Sequence, residues 1–68
     1  MDMNKAINIF GIHRTKDDIE NTVAALKLFT SLNTPEENEK LEVGEYVLEN
    51  WRTFQSETAR RRNTKGVA

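Results

Sequence analysis

The sequence predicts an all-α fold, an antiparallel helical hairpin to which a short N-terminal helix or strand adds a third piece. Three observations carry this. Two segments open with a cap residue followed three positions later by a carboxylate, Thr15…Asp18 and Thr34…Glu37. Behind each opening, apolar side chains recur at three- and four-residue steps, the signature of one helix face. Asn33 and Thr34 are nearly all that separates the two periodic segments, and so short a link returns the second helix antiparallel to the first.

The N-terminal segment, MDMNKAINIFGIH, satisfies two templates. As a helix over 3–10, it is capped by Asp2, shares Met3, Ala6, Ile7 and Phe10 on one face, and ends at Gly11. Only Ile9 then falls on the wrong side. As a strand, Ile7 and Ile9 point one way while Asn8, Phe10 and Ile12 point the other, and Gly11 weakens it. Either way its apolar side needs cover.

A turn over 11–14 leads to the first long helix, 16–32. Thr15 caps it, and Asp17, Asp18 and Glu20 lie where the helix dipole favours negative charge. Ile19, Val23, Leu26 and Phe29 form its apolar face, flanked by Thr22, Ala25 and Leu32, while Leu28 lies off the stripe. Asn33 tolerates the left-handed conformation expected at the helix end, before Thr34-Pro35-Glu36-Glu37 starts the next helix with a capping box and a proline at N1. That helix is expected to run unbroken over 35–62, with Leu41, Gly44, Leu48, Trp51, Phe54 and Thr58 on one face and Val47 beside them. Residues 63–68 read as a frayed tail. The two helices span about 26 and 42 Å at 1.5 Å per residue, so the shorter covers the longer only as far as Trp51. Phe54, Thr58 and the arginines overhang. The overhang can be covered by Ile7, Phe10 and Ile12 or by a second copy of the chain.

Composition narrows the function. Sixty-eight residues make a single small domain, 1–68, near the lower limit of a self-sufficient core, so support from a partner is expected. No cysteine is present and His13 is the one imidazole, which excludes disulfides and thiolate metal sites and leaves no reason to expect a metal or cofactor. The N-terminus lacks the apolar run of a signal peptide, and no stretch approaches the roughly 20 apolar residues of a membrane span. A cytoplasmic protein is expected, and its size suits the small regulators of bacteria and phages.

The longer helix is electrically split. Residues 36–50 hold six Glu and one Lys, whereas 52–65 hold four Arg and one Lys against one Glu. This order suits the helix dipole, and it equally suits antiparallel self-pairing of acidic on basic halves. Arg60, Arg61, Arg62 and Lys65 are therefore the nucleic-acid candidates, although the three arginines wind around the helix and no aromatic residue interleaves them. The link at Leu32–Pro35 leads into an acidic helix, a poor recognition element for DNA phosphates. Glu42, Glu45 and Glu49 share a side but lack the cleft or the glycine-turned loop that acid–base or calcium chemistry needs. His13 has no nucleophile or orienting partner in the sequence pattern, and no phosphate-binding or catalytic signature occurs. Tyr46, Trp51, Phe54 and Thr58 are the protein-interface candidates, Trp51 and Phe54 doubling as core. The reading is a non-enzymatic binding or regulatory module that works through helix-face contacts, as a homodimer or on another protein. A small nucleic-acid-binding regulator is the alternative, and neither a membrane nor a small-molecule substrate is expected.

Overall fold

The computed structural model describes the backbone of residues 2–65 and the side chains of residues 2–63, and the fold is all-α. Helix α1 covers Met3–Phe10, α2 Lys16–Leu28, α3 Pro35–Glu49 and α4 Trp51–Lys65, with a 3-10 turn at Thr30–Leu32. The N-terminal segment is thus a helix. Asp2 accepts the Lys5 N–H at 2.8 Å, and the Gly11 N–H closes the other end on the Ile7 carbonyl at 2.7 Å. Gly11 sits at φ 83 and ψ −172, backbone that is essentially reserved for glycine. The remaining openings follow the caps read from the sequence. Thr15 Oγ1 accepts the Asp18 N–H at 3.2 Å, and Thr34 and Glu37 form a complete capping box. The Thr34 N–H held at 2.9 Å keeps the Glu37 carboxyl below its ordinary value, Thr34's hydroxyl and nearby Lys40 adding to the effect.

Three boundaries differ from expectation. Helix α2 stops at Leu28 rather than Leu32 because Phe29 leaves helical geometry at ψ 36. Thr30 Oγ1 takes the Lys27 carbonyl at 2.7 Å, and Asn33 Nδ2 takes that of Leu26 at 2.8 Å. Side chains thereby replace the missing turn of backbone bonds. The expected single helix over 35–62 is broken at Asn50, which sits at φ −119 and ψ 39. Its backbone N–H donates to the Tyr46 and Val47 carbonyls at 3.0 and 3.2 Å, and its Nδ2 adds a second bond to the Tyr46 carbonyl at 2.9 Å, closing α3. Beyond the break, α4 runs to Lys65, past the expected end at 62, and residues 66–68 of the expected tail lie outside the described residues.

Helix α1 lies across the junction. Lys5 meets Glu39 of α3 at 3.3 Å, and its neighbour Asn4 accepts from Arg61 of α4 at 2.6 Å. One short helix thus contacts both α3 and α4.

One core results, made of Ala6, Ile7 and Phe10 from α1, Ile19 and Val23 from α2, Val43 and Val47 from α3, and Phe54 from α4. Each of the larger side chains contributes about 1.5–3 kcal/mol on burial. The buried face of α3 centres on Val43, Gly44 and Val47, while the expected Leu41, Leu48 and Trp51 are half-buried at its margin. The reason is cover by two helices, since both α2 and α1 pack on α3. All three helices converge at Gly44. A Cβ there would stand 2.6 Å from Val23 Cγ2 and 3.4 Å from the Phe10 ring.

Candidate protein-interaction surface

The overhang of apolar side chains expected beyond Trp51 is closed by the chain itself. Phe54 is fully buried in the common core, its ring 5.5 Å from that of Trp51. Thr58 is buried one turn on, and its hydroxyl is satisfied within the helix by the carbonyls of Phe54 and Gln55 at 2.9 and 3.1 Å. Neither side chain faces solvent, so both leave the set of contact residues as the folded chain presents them. Tyr46 and Trp51 remain half-buried. Trp51 lines an open groove with Lys16, Leu48, Asn50 and Arg52.

The basic end of α4 is also engaged. Arg60 pairs with Glu57 one turn earlier. Arg61 donates to Asn4 Oδ1, and Arg62 donates to the Ile12 carbonyl. Two of the three arginines thus clamp α1 and its following turn onto α4, a structural use of charge that the sequence pattern alone does not reveal. The Lys65 side chain lies outside the described residues. Asn50 divides the expected single helix between its acidic stretch, in α3, and its basic stretch, in α4.

The large apolar side chains left in water lie elsewhere. Leu28 is 75% exposed, Phe29 55% and Leu32 78%, all at the corner where α2 gives way to α3. The corner is held firmly by the Thr30 and Asn33 hydrogen bonds, and the Lys27–Glu45 ion pair at 3.1 Å ties the adjoining flank of α2 to α3. The patch extends along α2. Two i, i+4 rows, Glu20–Ala24–Leu28 and Asp17–Asn21–Ala25–Phe29, form its outer surface, and every one of these residues is exposed. Ala24 and Ala25 make a low shelf beside the taller Leu28, Phe29 and Leu32. Leu28 stood outside the expected apolar face, and with Leu32 four residues on it was the available sign of a second face.

Nothing in the arrangement gathers reactive groups. His13 and Arg14 are exposed beside Gly11 and Asp18 in a shallow groove, and among the described residues no group of His, Asp and Glu could hold a metal ion. No protein-family model matches the chain, and neither does any curated protein or solved structure. The surface therefore has to speak through its own chemistry. Among the described residues no helix is long and apolar enough to cross a membrane.

Proposed function

We propose that this chain is a small, non-enzymatic cytoplasmic binding module that contacts protein through the exposed outer face of α2 and its corner. The observation that carries this reading is the cluster of Leu28, Phe29 and Leu32 in water, while the other large apolar side chains among the described residues are buried wholly or in part. Large apolar residues grouped on the surface of a small domain are the usual mark of a contact face. Rigid capping of the corner supports the same reading, since a preordered surface loses less entropy on binding. The nucleic-acid alternative is weakened because Arg61 and Arg62 bind the chain's own N-terminal region.

A photo-crosslinking amino acid placed at Leu28 or Leu32 of the full chain in cells tests the reading. Discrete protein adducts are expected from these positions and not from Thr53, which is exposed on α4. Equal labelling from all three, or none from any, would refute it.

A further inference from the structure

Building on that reading, we infer that the occupant of the α2 face is a foreign protein segment whose apolar side chains are flanked at both ends by Lys or Arg, not a second copy of this chain. The charges around the patch supply the argument. At one end of the face stand Asp17 and Glu20, with Lys16 one turn before Glu20 on the same row, so that this end carries two acidic groups against one basic. At the other stand Glu36 and Glu37, exposed in the first turn of α3 just past the corner. The nearest basic side chain in the middle, Lys27, is paired with Glu45. An apolar strip closed by acid at both ends fits a segment with apolar centre and basic ends.

A second copy lacks that complement in either orientation. Laid antiparallel, its face would bring Asp17 and Glu20 onto Glu36 and Glu37 of the first chain; laid parallel, each acidic end would meet its own equivalent. Like charges across an interface disfavour the pairing both ways. The basic helix of a second copy is no better. The exposed side chains described on α4 are Arg52, Thr53, Gln55, Ser56 and Arg60–Asn63, with no large apolar residue to set against Leu28 or Phe29. Such a helix supplies charge and no apolar anchor.

Three synthetic helical peptides test this, sharing one Leu/Phe stripe and differing only in their flanks: Lys, Gln or Glu. Each is labelled and titrated with the full chain by fluorescence anisotropy at low and high salt, and the chain alone is run by sedimentation velocity over a wide concentration range. The Lys-flanked peptide is expected to bind about tenfold tighter than the Gln form, the sum of a few exposed charge pairs. Its advantage should shrink at high salt and be reduced by Glu20→Gln with Glu36→Gln. The Glu form should bind weakest. Leu28→Asp with Leu32→Asp, at positions exposed enough to leave the fold intact by circular dichroism, should abolish binding of all three. Equal binding of the three peptides, lost in the Leu28→Asp and Leu32→Asp variant, would overturn the basic-flank inference and leave the docking face standing. A dimer of the free chain that this same variant dissociates would do likewise, making the occupant a second copy. Binding that survives both leucine substitutions, or no binding and no dimer, would overturn the docking face itself.

Discussion

Gly44→Ala is the substitution that most directly tests how the three helices meet. In an open helix interior, replacing glycine by alanine stabilises by about 1 kcal/mol. Here the new methyl would stand 2.6 Å from Val23 Cγ2, well inside contact distance, and 3.4 Å from Phe10 Cζ. Val23 is buried, and a helical valine strongly prefers one χ1 rotamer, so its methyl has no easy way to swing clear. Overpacking of this kind costs about 1–3 kcal/mol. The two effects oppose, and the net expectation is a loss of up to about 2 kcal/mol. In a domain this size each kcal/mol moves the melting temperature by about 4–8 °C. Urea unfolding followed by Trp51 fluorescence and by helical circular dichroism gives the value. The Val23→Ala background removes the clashing methyl, and Gly44→Ala in that background should turn neutral or stabilising. A single Gly44→Ala variant that gains about 1 kcal/mol, with no coupling to Val23, would refute the close approach.

Other substitutions probe separate features. Gly11→Ala meets no atom within 4 Å yet must hold φ 83, so a loss of about 1–3 kcal/mol of purely conformational origin is expected in the same urea titration. Thr58→Val removes a buried hydroxyl whose partners are carbonyls of its own helix, and stability should change by less than about 1 kcal/mol. A larger loss would mean that the hydroxyl serves another group. Because the folded chain holds the Glu37 carboxyl below its ordinary value of 4.5, its contribution is full above that pH and fades as pH falls through the lowered value. Glu37→Gln preserves the capping box without a titrating group, so melting curves of this variant should lose that acid-side dependence. Thr34→Ala should cost about 1 kcal/mol of stability in thermal melts, through the cap.

Much of the fold was written locally. Asp2, Thr15, Thr34 and Glu37 announced the three N-termini because capping depends on two or three neighbouring residues. The break at Asn50 was not legible because the apolar period continues across it, from Leu48 and Trp51 to Phe54. Asparagine is tolerated in a helix interior, so Asn50 by itself did not mark a boundary. Val43 escaped notice for a related reason: two helices, α1 and α2, pack on α3, and a template with one narrow stripe marks only part of the face they cover. The proposed contact surface was the least legible part. The arginines advertise charge, yet Asn4 and the Ile12 carbonyl, some 50 residues away in sequence, claim Arg61 and Arg62. Leu28 lay off the expected stripe, whereas Phe29, expected on it, and Leu32, expected beside it, are exposed because α2 ends before they can turn inward.

The clasp between the two ends of the chain has a consequence during synthesis. The Arg61–Asn4 and Arg62–Ile12 bonds join residues 57 and 50 positions apart. Helices α2 and α3, consecutive in sequence, can form their hairpin as soon as both have left the ribosome. The apolar side of α1, made first, has no complete seat until α4 has emerged. Vectorial folding of this chain therefore leaves Ile7 and Phe10 waiting longest for their cover, and a nascent chain stalled within α4 exposes that face to any chaperone near the exit tunnel.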